Sequence, residues 1–414
     1  MTPRSAARSS TSATTSTSSS STTSRLPETS SWPRPRPEFP VRCKSSIWGR
    51  AKPAEEPERT PSRSRVRRVS LHSPLHAAHA ALGARFTDFG GWEMPLQYEG
   101  TLAEHRAVRS ATGVFDVSHL GRFLVEGPEA AVLVGRLLCN DLAKIAPGRA
   151  QYTLMLNDAG GIVDDIIVWW LEPDRMIVLP NGVNHDTVRD AFSAAEADVR
   201  ITDLRPTTAL LAVQGPGASA LLAATVGLAP RRFRVVEQPP LVAAGTGYTG
   251  EPGAELIVDA DHAAGVFASL LAAGAVPCGL GARDVLRLEM GYPLWGQDLD
   301  ATTTPLEAGL EWVVGWDHDF TGKGALLAQQ KTGVDRELIG FAFPDRRVPR
   351  HGFAMRCGAS RGTVASGNFS PILEVGIGMG YVAPPPQPAD DTVEIEVRGE
   401  WFPARRVVPP FLER

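Results

Sequence analysis

The chain has 414 residues, 43% of them hydrophobic and 21% charged, with a formal net charge of −4. That length predicts two or three domains and a core large enough to need no staples. Residues 1–72 hold 14 basic and 5 acidic side chains, while the other 342 hold 28 and 41, an acidic body that makes a poor nucleic-acid partner.

Residues 1–70 read as a disordered tail. "SSTSATTSTSSSSTTS" (Ser9–Ser24) is low-complexity and "WPRPRPEFP" (Trp32–Pro40) is proline-rich, and neither buries enough apolar surface to offset chain entropy. The Ser- and Arg-rich start resembles an organellar transit peptide, but no strong amphipathic helix is read there, and a non-targeting extension is the favoured alternative. Folded sequence begins near "SPLHAAHAALG", with Ser73 as an expected N-cap, Pro74 at N1 and Gly83 as a stop. "PEAAVLVGRLLC" and "DHAAGVFASLLAAG" have helical periodicity, whereas "IVDDIIVWW", "RMIVL", "ALLAVQG" and "AELIVDA" read as strands. Helices and strands follow no strict alternation, so the class is α+β. A helix around Gly322–Gln330 precedes a tail that is nearly all strands: "LIGFAF", "GFAMRC", "GTVASG", "GIGMGYV", "TVEIEVRG" and "EWFPARRVV". Short strands between Gly and Pro turns predict a small barrel or sandwich. The expected domains are 71–330 and 331–414.

Several short motifs fail on context. "GTGYTG" (Gly245–Gly250) matches a dinucleotide fingerprint, but Pro252 and a strand follow where a helix must open. "GWDHDFTGKGA" resembles a P-loop with the wrong spacing and Gly324 in place of the Mg²⁺-holding hydroxyl. His76 and His79 in "HAAH" lack the zincin glutamate, and the four cysteines (Cys43, Cys139, Cys278, Cys357) form no CxxC pair, so no metal is expected. Unpaired cysteines point to a reducing compartment. No run of about 18 apolar residues predicts a membrane helix, and no membrane partner is expected.

Four polar clusters remain. Asp164 and Asp165 are adjacent in an apolar strand, where neighbours face opposite ways, so only one can enter a shared cavity. "NGVNHD" sits at a strand-to-helix junction, where Asn184 reads equally as a cap, and Asn181 offers donor and acceptor to a planar heterocycle. "GYTGEPGAELIV" sets Tyr248 in a glycine-rich turn and Glu255 at the start of an apolar strand, where a carboxylate needs a partner. "GLGARDVLRLEMGYPLWGQDLD" places Arg283 and Arg287 four apart on one helix, suited to gripping carboxylates or to internal ion pairing.

These clusters, in this order, resemble the T proteins of the glycine cleavage system, which are aminomethyltransferases. The likeness runs from about Leu75 to Phe411 through "DFGGWEMPLQY", "EHRAVRSATGVFDVSHLG", "YTLMLNDAGGIVDDIIV", "GYTGEPGAELIV", "CGLGARDVLRLEMGYPLWGQDLD" and "SGNFSPILEVGIGMGYV". It implies a three-lobed ring around a central folate channel, the third lobe being a small C-terminal β-barrel. It also implies transfer of a one-carbon unit from the aminomethyl group on lipoylated H protein, within the glycine cleavage complex, to tetrahydrofolate. The products would be 5,10-methylenetetrahydrofolate, ammonia and dihydrolipoyl H protein. By the same resemblance Asp164 is the catalytic acid facing the cavity, Asp165 turns away, and Asn181, Tyr248, Glu255 and Arg283 contact the folate. Leu120 stands where many members carry Met, a near-isosteric change. The expected location is cytoplasmic, or the mitochondrial matrix should the head be a transit peptide. Two relatives compete: the formaldehyde-trapping folate module of dimethylglycine and sarcosine oxidising enzymes, and a folate-binding helper of iron–sulfur assembly. The first would bring a flavin domain, which is not read in this sequence, and the Lys-Gly-Cys-Tyr signature of the second is not found.

Overall fold

The computed structural model describes residues 70–413. Except for its final residue, the tail expected to be disordered lies outside the described residues, as does the transit-peptide reading. Among the described residues no helix is long and apolar enough to cross a membrane.

The class is mixed α and β, as expected. Two sheets meet face to face. One has six strands, in the order Val235–Gln238, Leu241–Ala244, Gly253–Asp259, Thr208–Gln214, Gly113–Asp116, Val276–Cys278. The other has five: Arg149–Leu156, Ile162–Glu172, Arg175–Leu179, Phe123–Glu126, Arg200–Asp203. The central strand Thr208–Gln214 is apolar and buried along its whole length because both its faces are covered. Ala209, Leu211 and Val213 pack beneath the helices Ala218–Thr225 and Ala260–Ala272. Leu210 and Ala212 pack the other way, against Trp169, Ile177 and Leu179 of the five-stranded sheet. The outer face of that sheet is covered by Ala130–Leu137 and His185–Ala194, with Phe123, Ile166, Val168 and Phe192 between them.

The tail closes into a six-stranded barrel around Phe341, Met355, Val364 and Ile395, and each of the six predicted segments supplies one strand. The helix Leu280–Glu289 joins barrel to sheets: Leu288 packs on Ile377 and Met379, and Leu286 on Phe115. A three-stranded sheet, Leu71–His72, Trp92–Gln97 and Arg85–Phe89, completes the fold. The first helix spans His76–Ala81, starting later than predicted. Ser73 does not cap it: its hydroxyl accepts from the Leu75 amide at 3.1 Å and donates to the buried Asp116 carboxylate. The carboxylate, a stronger acceptor, anchors Ser73 to the six-stranded sheet and delays the helix.

Candidate active site

The elements converge on one cavity of 1890 Å³. Its wall takes Phe89 and Trp92 from the small sheet, Asp165 and Ile167 from the five-stranded sheet, and Glu255 from the six-stranded one. Arg283 and Asp284 come from the connecting helix, Leu338 and Met379 from the barrel. The volume is about twice what a single small-molecule pocket usually offers.

Four of the five predicted site residues meet here: Asn181, Tyr248, Glu255 and Arg283. The fifth, Asp164, does not. The expected orientation of the acid pair is inverted: Asp165 lines the cavity, and Asp164 is fully buried behind it. The reason lies in the strand Ile162–Glu172. Ile162, Asp164, Ile166 and Val168 share the face that enters the hydrophobic core, and Asp165 and Ile167 take the cavity face.

Burying Asp164 requires several donors, and the strand-to-helix junction supplies them. The Asn181 amide N–H donates to Oδ2 at 2.8 Å, and Asn181 Nδ2 donates to Oδ1 at 2.8 Å. Asn184 Nδ2 donates to the same Oδ1 at 2.7 Å. Asn184 therefore does not cap the helix His185–Ala194 although it occupies the capping position. Asn181 Nδ2 also reaches Asp165 Oδ1 at 2.7 Å, so one amide clamps both acids. Tyr152 adds a longer bond, its hydroxyl donating to Asp165 Oδ2 at 3.3 Å. Burial, then the neighbouring Asp165 charge, pushes Asp164 well above the usual carboxylate range, against the pull of its asparagine donors. Burial likewise pushes Asp165 up to about 6, with Asn181 and Tyr152 opposing. A carboxylate poised there exchanges protons near neutrality, as a general base must.

Glu255 is the third residue of the strand Gly253–Asp259 and accepts from Thr246 Oγ1 at 2.6 Å. Tyr248 reaches the wall through the turn Thr246–Glu251. Gly250 there has φ +78°, and a Cβ at that position would come 2.5 Å from Met290 Sδ, so only glycine fits. The Tyr248 hydroxyl donates to the Pro293 carbonyl, leaving its ring face as the useful surface. Arg283 lies over that ring, 4.7 Å from its centroid, a cation–π contact. Its Nη1 is buried without a hydrogen-bond partner, and no carboxylate lies within ion-pair distance among the described residues. Burial lowers the Arg283 pKa, with the Glu255 charge opposing. His119 also lines the wall, its Nδ1 unpartnered, and burial followed by the Arg283 charge lowers it to about 3, so the ring is neutral.

Sequence reasoning passed over four further wall residues. Tyr152 and Trp312 stack with centroids 6.0 Å apart, and Trp312 is 67% exposed. Arg231 and Arg232 stand exposed at the cavity. None of the four carries a local signal, because each reaches the cavity only through the way its segment packs in the fold.

A large cavity with an acid of raised pKa, an unpaired arginine, a carboxylate and a tyrosine ring is the pattern of a polar-ligand site suited to general acid–base chemistry. Comparison with known proteins sharpens that class. Residues 75–318 match the family model described as "GCVT N-terminal domain" and residues 336–413 the "Glycine cleavage T-protein C-terminal barrel domain". The chain is 46% identical to an aminomethyltransferase of Frankia alni over 356 residues, 82% of this chain and 97% of that protein. It is 43% identical to the aminomethyltransferase of Mycobacterium bovis over 358 residues, 83% and 97% of the two chains. Among solved structures it resembles glycine cleavage system aminomethyltransferase T from Bartonella henselae, with TM-score 0.77, 32% identity, and 83% and 98% coverage. The chain therefore belongs to the glycine cleavage T-protein family, the aminomethyltransferases.

Proposed function

We propose that this enzyme transfers the one-carbon unit of aminomethyl-dihydrolipoyl H protein to tetrahydrofolate, within the glycine cleavage system. The carbon loses its bonds to sulfur and to the amino nitrogen and gains bonds to two folate nitrogens. The two protons of those nitrogens leave on the lipoyl thiol and on ammonia, so the products are dihydrolipoyl H protein, ammonia and 5,10-methylenetetrahydrofolate.

The observation that carries this reading is Asp165 on the same wall as Asn181, Tyr248, Glu255 and Arg283. Asp165, in place of Asp164, takes the catalytic role. Its carboxylate accepts the proton of the attacking folate amine and stabilises the cationic iminium formed as ammonia departs. Asn181, itself anchored on Asp164, holds it in place. Glu255 accepts paired N–H groups of a pterin edge, Arg283 donates its unpartnered Nη1 to a carbonyl or carboxylate, and the Tyr248 ring supports a planar heterocycle. The volume left over has room for a lipoyl arm beside the folate. No metal enters this mechanism. A cytoplasmic setting belongs to the reading and is supported by the free thiols of Cys139, Cys278 and Cys357.

The test is ammonia release from aminomethylated H protein with and without tetrahydrofolate. Release that rises with folate and matches methylenetetrahydrofolate one for one supports the proposal. Folate binding without turnover points to a non-catalytic helper, and methylenetetrahydrofolate made only from free formaldehyde points to the demethylase-type module.

A further inference from the structure

The strand Trp92–Gln97 has two faces. Trp92 and Leu96 line the cavity, and Glu93 points the other way. Two histidines meet Glu93 there. The strand Leu71–His72 runs parallel to Trp92–Gln97 and sets His72 opposite Glu93. His76, the first residue of the helix His76–Ala81, reaches the same carboxylate from above. His72 Nε2 lies 3.2 Å and His76 Nε2 2.8 Å from a single oxygen, Glu93 Oε2. The donor atoms of all three residues fall within 4.8 Å of one another.

The "HAAH" pattern is thus divided between two tasks. His79 is fully buried, with Nε2 2.8 Å from Asp116 and Nδ1 2.9 Å from the Tyr98 hydroxyl, so both its nitrogens are used. His76 is the outward partner, and its second donor is four residues upstream instead of three downstream. Among the described residues no lysine or arginine pairs with Glu93 within 4.0 Å.

We propose that His72, His76 and Glu93 bind a divalent transition-metal cation of the zinc class. Two imidazoles and one carboxylate form the donor set of zinc sites that keep a fourth position for water. Imidazole nitrogen favours zinc, nickel or copper over magnesium. A tetrahedral ion with bonds of ~2.1 Å spaces its donors by ~3.4 Å, so the cluster needs to open by roughly half an ångström around Glu93. The two rings lie stacked, centroids 4.1 Å apart and 10° from parallel, so one must turn to aim its lone pair at a shared ion. His72, with its side chain 51% exposed, has the room to do so, whereas His76 is held by stacking on Phe86 at 4.7 Å. The bound ion ties the strand Leu71–His72, the helix His76–Ala81 and the cavity-lining strand Trp92–Gln97 together at one point.

The full chain, stripped with chelator, is titrated calorimetrically with Zn²⁺ and, in parallel, with Mg²⁺. One Zn²⁺ per chain, no Mg²⁺, and a thermal midpoint raised by about a few degrees in excess Zn²⁺ are expected. His76→Ala and Glu93→Gln each weaken Zn²⁺ binding by more than about tenfold, the loss seen even for an outer-shell partner. His262→Ala, at an exposed histidine elsewhere, leaves it unchanged. The metal-free midpoints of the variants and their ammonia-release rates show that each is folded. Absence of stoichiometric Zn²⁺ uptake by the parent chain overturns the proposal. So does equal affinity in the parent, His76→Ala and Glu93→Gln chains, which places the ion elsewhere.

Discussion

The helix Leu280–Glu289 carries two polar regions with opposite bonding. On the cavity side Arg283 holds an aromatic ring and leaves Nη1 unbonded. One turn later Arg287 is saturated: it reaches Asp298 at 2.7 Å, Asp284 at 2.8 Å and Ser366 Oγ at 2.8 Å. Glu289, also fully buried, accepts from Ser370 Oγ at 2.6 Å and Arg109 Nη2 at 2.6 Å, and lies 2.9 Å from His105 Nε2. Ser366 and Ser370 are barrel residues, so the saturated region is the joint between barrel and sheets. Burial pushes Glu289 up, but the bonds from His105 and Ser370 and the Arg109 charge outweigh it and hold the acid below its usual range. Of this joint only His105 Nδ1 and Asp298 Oδ1 lack a partner, and a buried network so densely bonded holds a fold together. Unsatisfied buried groups are costly and persist where a ligand completes them.

The comparison is broken most sharply at the acid pair. Asp165→Asn should reduce turnover about 10²- to 10⁴-fold with its thermal midpoint nearly unchanged, measured by ammonia release from H protein. Asp164→Asn should instead cost stability, about 1–3 kcal/mol, because an amide faces donors that need an acceptor. A larger turnover loss at Asp164 than at Asp165 would reverse the assignment.

At the joint, Glu289→Ala removes one of the two carboxylates paired with buried Arg109, Glu251 at 2.9 Å being the other, and takes the acceptor from Ser370, so it should destabilise the fold by about 1–3 kcal/mol in chemical denaturation. Surviving molecules should keep near-parental turnover. A specific loss of kcat in folded protein would place this network in the catalytic machinery.

Arg283→Met should do the reverse, raising KM for tetrahydrofolate about 10- to 100-fold, the worth of one charged hydrogen bond, with little change in denaturation midpoint. Steady-state kinetics at saturating H protein separates the two effects.

The mildest test concerns pH. Asp165 acts ionised and its pKa is raised to about 6, so activity should be full above that value and fall by one proton as pH drops through it. Tyr152→Phe removes a bond that favours the ionised form, so this limb should move to higher pH, with turnover at neutrality lowered about three- to tenfold. An unmoved limb would separate Tyr152 from the acid.

Much of this was legible in the chain because it depends on local pattern. Six short strands with Gly and Pro turns announced a small barrel or sandwich, and apolar runs between turn residues announced strands. Residues rare in such surroundings marked themselves: Glu255 in an apolar strand, Asn181 at a strand end, two acids side by side. Resemblance to the T proteins then linked them. What failed was direction. Alternation required Asp164 and Asp165 to face opposite ways, but nothing local says which face the core will claim. Likewise the four-residue spacing of Arg283 and Arg287 did not reveal that one meets five hydrogen-bond partners and the other an aromatic ring.

The sequence by itself determined which segments are strands and helices, the α+β class, a strand-rich small C-terminal domain, and the set of polar residues too costly to bury without a purpose. These follow from side-chain period, turn chemistry and desolvation, all of which act over a few residues. Only the tertiary structure decided that Asp165 enters the cavity, that Asn184 serves Asp164 instead of a helix, and that His72 joins His76 and Glu93. Each of those depends on where a distant strand or helix packs, and packing sums contacts over the whole chain, which no window of sequence contains.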